Sequence, residues 1–522
     1  MNDFSKQIFI SKRFLTAIAL PLAAMLLAGC AVGPDFKQPI PPTATRYTPQ
    51  PLPAMTSQAE DQAGAAQKFV LDQDVPGQWW QLFQSPALNS LIDRAFQANP
   101  SLTAAQAALR QGQELVYAQR GYFFPTVGLN YSPSRQQLAG NMGGNSPGIQ
   151  GNGSVISTYQ NPAGPAPYNG PVIYNFHTAQ LTVGYVPDVF GANQRQVESL
   201  QAQADIQRFQ LEAVKVTLAS NIIAAALQEA SVRAQIAASK EIIAENEQSL
   251  QILQHQFALG YVMRIDVAAQ ESALATAQQL LPPLQKQFEQ TRDLIRVLAG
   301  NTPDQDVAET FDLSALHLPI DLPVSLPAQL IRQRPDIRAA EAQLHAASAA
   351  VGVAVAARLP QFAITGAVGG EASTFNQMFQ TGGPFWSLVG NLSQPIFDGN
   401  TLLHRERAAD QALVQAAAQY HSTVLTALQN VADTLHALDA DADSLAAAVR
   451  TEQAARLTLD LVRKQHELGY VNYLVLLSAE QTYQQAVIAL IQARAMRFGD
   501  TAALFQALGG GWWNHKEATA QP

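Results

Sequence analysis

Leu259-Gly260-Tyr261-Val262 recurs 209 residues later as Leu468-Gly469-Tyr470-Val471, and the two strings belong to a longer duplication. Upstream, Pro187-Asp188-Val189-Phe190-Gly191 is answered by Pro395-Ile396-Phe397-Asp398-Gly399 at an offset of 208. Asn99-Pro100 opens an Ala-rich segment that ends at Pro125, and Arg334-Pro335 opens another that ends at Pro360, both at an offset of 235. The drop of about 27 equals the difference between the Pro125–Pro187 and Pro360–Pro395 spans. One longer loop in the first copy therefore accounts for it. A period near 200 is too long for a solenoid and marks a duplicated structural unit.

Each unit reads as helix, strand, loop, strand, long helix, tight break, returning helix. In the first, Val127, Leu129 and Tyr131 alternate with small or polar residues, as do Leu181, Val183 and Tyr185. In the second, Phe362, Ile364 and Val368 do so, followed by Trp386, Leu388 and Leu392. A period of two with one apolar face predicts strands at about 123–131, 180–188, 361–370 and 385–397. Their length, near ten residues, suits a tilted strand that crosses a membrane with a small, polar face turned to a lumen. Four strands cannot close a barrel, and an open edge in lipid leaves backbone groups unsatisfied. Membrane-spanning strands would therefore require several chains: two give a barrel filled by side chains, three give twelve strands and room for a pore. Soluble hairpins are the alternative.

No Pro or Gly interrupts the chain from Gly191 to about Phe257, and its counterpart runs from Thr401 to about Glu467. Val424, Leu428, Val431, Leu435 and Leu438 follow a 4-3-4-3 spacing, a coiled-coil seam. About 65 residues at ~1.5 Å each gives a rod near 100 Å. Ala on more than one face, as in Ala224-Ala225-Ala226 and Ala416-Ala417-Ala418, permits close neighbours on both sides. Returning helices are expected at roughly Arg264–Leu298 and Tyr473–Leu508, and Ala-rich ones at 100–124 and 335–359.

The N-terminus carries Lys6, Lys12 and Arg13, an apolar run from Phe14 to Leu27, and then Leu27-Ala28-Gly29-Cys30. This is the layout of a secretory signal. The small residues before Cys30, the sole cysteine, resemble a bacterial lipobox, whose thiol takes a diacylglycerol and becomes the new N-terminus. Acyl chains anchor a protein to one leaflet without making it span. The chain accordingly divides into a signal peptide (1–29), a lipidated extended strap (30–78), a first repeat (79–300), a linker (301–334), a second repeat (335–511) and a tail (512–522). Net charge of −9, with charged residues at 14%, excludes a nucleic-acid partner. Gly144-Asn145-Ser146-Pro147-Gly148 fits a hydrolase string but sits in a loop rich in Gly, Asn, Ser and Pro, without strand or helix beside it. The nine His are scattered. No enzyme activity, cofactor or metal site is expected.

Taken together, the lipobox, Trp79-Trp80-x-x-Phe83, Asn99-Pro100, the duplicated unit, both Leu-Gly-Tyr-Val turns and Leu508-Gly509-Gly510-Gly511-Trp512-Trp513 resemble outer membrane factors of the TolC/OprM type, in their NodT-like lipoprotein branch. The resemblance covers nearly the whole mature chain. It implies a mainly α protein with a small β-barrel: a homotrimer of twelve strands in the outer membrane on a twelve-helix α-barrel in the periplasm. It further implies a passive exit duct of a tripartite efflux pump, with a periplasmic adaptor (membrane fusion) protein and an inner-membrane transporter as partners. By the same resemblance Leu259, Gly260, Tyr261, Leu468, Gly469 and Tyr470 form a tip that docks the adaptor. Leu474 falls at a hydrophobic ring of the pore, and Asp266 matches an acidic position of the gate. The match there is partial: Val475 and Ser478 stand where relatives place aspartates, and His466 and Gln481 where gating Tyr and Arg are sought. Arg264 can pair with Asp266 only across helices or with a neighbouring chain, since residues two apart face different ways. A periplasmic coiled-coil lipoprotein acting as a tether or scaffold remains the competing reading.

Overall fold

The structure is a computed structural model that describes residues 31–40, 44–138 and 172–514. The signal segment with Cys30, the Gly144–Gly148 string and the tail beyond 514 lie outside the described residues. In chain order the elements are β1 (Lys68–Leu71), α1 (Pro86–Ala98), α2 (Pro100–Arg120), β2 (Thr126–Leu138), β3 (Val172–Tyr185), α3 (Ala192–Ala258), α4 (Arg264–Leu298) and β4 (Asp321–Val324). There follow α5 (Pro327–Gln333), α6 (Pro335–Ala356), β5 (Gln361–Ala372), β6 (Pro384–Ser393), α7 (Thr401–Glu467) and α8 (Tyr473–Ala507). The duplication is exact in its long and returning helices: α3 and α7 each have 67 residues, and α4 and α8 each have 35.

Two compact units divide the chain. The first gathers Met1–Lys37, Gly112–Ala202 and His345–Gln415. It holds one antiparallel sheet in the order β2-β3-β5-β6. Its register makes the sequence alternation a two-faced surface. Leu129, Leu181, Val368 and Trp386 are paired in one row across all four strands, and Val127, Val183, Gly366 and Leu388 form the next. Rows on the opposite face read Gly128, Thr182, Ala367, Ser387 and Asn130, Gln180, Gly369, Phe385. The apolar rows are bare: Leu129 is 84% and Trp386 78% exposed. Among the described residues, β2 and β6 each lack a partner on their outer edge.

The strand limits differ from those read from alternation. β2 runs on to Leu138 and β3 starts at Val172, because ladder pairing from Ser132↔Thr178 to Leu138↔Val172 continues past the apolar band. Backbone hydrogen bonds need no apolar side chain, and Pro133 is tolerated because β2 is an edge strand. β2 also begins later than expected, after a 3-10 turn at Gly121–Phe123. At the other ends, Pro187 and Pro395 cannot donate to a ladder, so β3 stops at Tyr185 and β6 at Ser393.

The second unit comprises Gln38–Gln111, Gln203–Leu344 and Ala416–Pro522. Its core centres on Trp79, fully buried and stacked on Phe505 at 5.2 Å. Here the strap is tied down: β1 pairs in parallel with β4 of the linker. Buried Arg497 on α8 donates to Thr56 Oγ1 (2.7 Å) and to the carbonyls of Ala63 and Ala65. Asp61 accepts from Arg494. The expected seam of α7 is buried at Val424, Val431, Leu435 and Leu438.

Candidate functional site

Both Leu-Gly-Tyr-Val strings end a long helix in the same way. Gly260 and Gly469 take left-handed φ of +79° and +80°, which a side chain would oppose. Tyr261 N–H donates to Gln256 O (2.9 Å) and Gly260 N–H to Phe257 O (2.9 Å). In the second repeat Tyr470 N–H donates to Gln465 O (2.8 Å) and Gly469 N–H to His466 O (2.9 Å). This is the Schellman closure of a helix, made twice. It turns the following side chain outward: Tyr261 is 79% and Tyr470 78% exposed, and Leu259 and Leu468 are exposed beside them. Each turn thus presents an unpartnered Leu and Tyr on a rigid backbone.

The helices that return from these turns start differently. Asp266 is buried, and its carboxylate accepts the Met263 N–H at 3.1 Å, capping α4. In the second repeat the cap is Asn472, whose Oδ1 accepts the Val475 N–H at 3.2 Å. At the offset of 209, Met263 corresponds to Asn472 and Asp266 to Val475. The two helix starts are thus capped from opposite sides: Asp266 serves the N–H of the residue before α4, and Asn472 serves the N–H of the third residue of α8. Arg264 points away from Asp266 and meets Glu271 two turns on, at 3.5 Å.

Leu474, Val475 and Ser478 lie exposed on one face of α8. They line a groove of about 970 Å³ whose other wall is α7, from Ala447 to Val462. That wall sets Arg450 beside the smaller Thr451, Ala454 and Thr458.

On the other side of α8 sits a group that sequence reasoning passed over. Tyr473 donates its hydroxyl to Gln270 Oε1 on α4 at 2.7 Å. Gln270 in turn donates to Asn246 on α3, to its backbone O (2.9 Å) and to Oδ1 (3.0 Å). All three residues are buried, Gln270 completely. They are embedded among Leu253, Val267, Leu459, Leu476 and Leu477. Burial, and then the charges of Glu480 and Asp266, push the Tyr473 hydroxyl above its ordinary range. It stays a neutral donor at every physiological pH. The only signal in the sequence was a Gln and an Asn at positions where helical spacing calls for apolar residues.

The family model described as outer membrane efflux protein matches residues 91–301 and 326–510. The pyoverdine export outer membrane protein OpmQ of Pseudomonas putida is 27% identical over 494 residues, covering 94% of this chain and 97% of that protein. The probable efflux pump outer membrane protein TtgC of Pseudomonas putida is 27% identical over 504 residues, covering 95% and 96%. The solved outer-membrane channel OprN superposes with a TM-score of 0.77 at 26% identity, over 92% of this chain and 100% of that one.

Proposed function

The chain belongs to the outer membrane efflux protein family, and from that premise we propose that it works as a trimeric, lipid-anchored exit duct of a tripartite pump. An efflux channel of the outer membrane is the function the family carries. The observation that supports the rest is the sheet with two unpaired edges and an exposed apolar face. In water such a sheet is an aggregation template. In lipid its apolar rows are matched by acyl chains, but its edges are not, and no backbone donor can stay unpaired there. Pairing β6 of one copy with β2 of the next satisfies both edges at once. Three copies give twelve strands, enough to leave a lumen lined by the Gly, Thr, Ser, Asn and Gln rows.

The remaining assignments follow from the same assembly. Cys30 carries the acyl anchor. The Leu259, Gly260, Tyr261 and Leu468, Gly469, Tyr470 turns dock the periplasmic adaptor, which joins the duct to an inner-membrane transporter. Leu474 and Ser478 narrow the aperture, while Asp266 serves the fold of α4 and Arg264 its surface. Cargo crosses without chemistry. A tether with soluble hairpins would have to leave Leu129 and Trp386 in water, which disfavours it. The test is extraction: the assembly should resist mild detergent and migrate as a multimer until boiled. Full release as a monomer would contradict it.

A further inference from the structure

The segment that begins at Ala31 is seated in the first unit through its backbone. Val32 N–H donates to Phe190 O (3.1 Å), and Arg195 Nε donates back to Val32 O (3.1 Å). The same Arg195, buried on α3, pairs with Asp35 at 2.7 Å. Phe36 stacks on His345 of α6, ring centroids 4.3 Å apart. Three glycines make room for this path. A Cβ on Gly33 would stand 2.4 Å from Gly352 Cα, one on Gly352 2.9 Å from Val32 O, and one on Gly191 2.5 Å from Ala31 Cα. Ala31, Val32, Gly33, Asp35 and Phe36 are thus held to the Phe190–Gly191 turn, α3 and α6, which a free tether would not need.

Ala31, whose Cα the Gly191 contact fixes, is the residue that follows Cys30 in the sequence. Phe190 and Ala192, the two neighbours of Gly191, also line a cavity of about 340 Å³. Its apolar wall is made by Tyr122, Val186, Phe190, Val353, Ala356 and Phe362. Most of the polar groups there are engaged: Gln119 donates to Asn193 Oδ1 (2.6 Å), and Asp188 accepts the Asn193 and Gln194 N–H groups, while Asn193 Nδ2 is buried without a partner. The apolar wall suits a hydrocarbon, with Asn193 Nδ2 as the single donor left for an ester oxygen, and the size falls within the usual range for ligand pockets.

We propose that this cavity receives an acyl chain of the diacylglyceryl group on Cys30, with the Arg195–Asp35 clasp setting the anchor at its mouth. The proposal rests on the reading of Cys30 as a lipidated residue. It makes the anchor a part of the channel wall rather than a leash.

A photoreactive diazirine amino acid in place of Val353, irradiated in outer membranes, provides the test. Trypsin then releases the N-terminal peptide 30–37 for mass spectrometry. The expected product joins the peptide containing position 353 to a lipidated peptide 30–37. The same probe at Phe397, 91% exposed, should capture phospholipid instead. Asp35→Asn, a change at an exposed side chain, should lower the yield at 353 several-fold while leaving the fold intact. A lipidated peptide 30–37 with only phospholipid captured at 353 overturns the docking. A peptide 30–37 without lipid overturns the lipoprotein reading, and the docking with it.

Discussion

The Tyr473 hydroxyl, on the first turn of α8, meets Gln270 Oε1 of α4 at 2.7 Å inside an apolar cluster. Since Gln270 also holds Asn246 of α3, a single buried chain of hydrogen bonds joins the helical hairpin of the first repeat to that of the second. Polar groups in such surroundings are costly to leave unpaired. The chain therefore sets the register of α8, and with it the position of Leu474, the next residue.

Tyr473→Phe removes the donor and leaves Gln270 Oε1 unsatisfied, a loss of about 1–3 kcal/mol. In bilayer recordings the variant should spend a larger fraction of time open than the wild type. A companion Gln270→Leu, alone and combined with Tyr473→Phe, should give a coupling energy of ~0.5–3 kcal/mol in thermal unfolding. An open fraction equal to that of the wild type would show that the bridge carries stability alone.

The two caps should be interchangeable in kind. Asp266→Ala and Asn472→Ala are each expected to lower stability by about 0.5–2 kcal/mol, measured by thermal melting of the detergent-solubilised protein. Neither should alter cation-to-anion selectivity, because the Asp266 carboxylate is buried and engaged with the Met263 N–H. A shift in reversal potential for Asp266→Ala would return that residue to the lumen.

Much of this was legible in the chain, for reasons that differ by element. The tandem Leu-Gly-Tyr-Val strings announced the helix ends, because a left-handed Gly between long helical runs has few other uses. Strand faces were readable from Leu129, Val368 and Trp386, whose period of two survives pairing. Strand ends were not, since the ladder beyond Tyr131 is held by backbone bonds indifferent to side chain. The Tyr473–Gln270–Asn246 bridge was hidden for a similar reason: it joins residues more than 200 positions apart, and each taken singly looks like an ordinary helical residue. Arg264 and Asp266, two apart on a helix, were expected to face different ways, and one meets Glu271 while the other caps its own helix.

Burial, together with Asp441 alongside, pushes the Asp500 carboxyl up to about 7, against the pull of Arg497. An unfolded aspartate releases its proton near 3.9. Between those values the folded chain holds more protons than the unfolded one, so this group makes stability fall as pH rises from about 4 to about 7, and no further above that. Asp500→Asn should remove the effect. The variant's melting temperature relative to the wild type should rise across that window and then level off. A constant difference from pH 4 to pH 8 would contradict the assignment.

At the turns, Tyr261→Ala and Tyr470→Ala remove exposed rings that touch no core, so stability should change by no more than about 0.5 kcal/mol. Pull-down of the periplasmic adaptor by the double variant should nevertheless fall at least severalfold, with the multimer intact by native mass. Unchanged capture would move the docking surface away from the turns.

The central claim is a multimeric duct narrowed near Leu474, and single-channel recording in a planar bilayer, on protein whose native mass is measured in the same detergent, tests it most directly. The wild type should be a trimer with a small or flickering conductance, and Leu474→Ser should enlarge the current. A monomer or dimer without conductance would contradict the account, as would a trimer whose current ignores the substitution at Leu474.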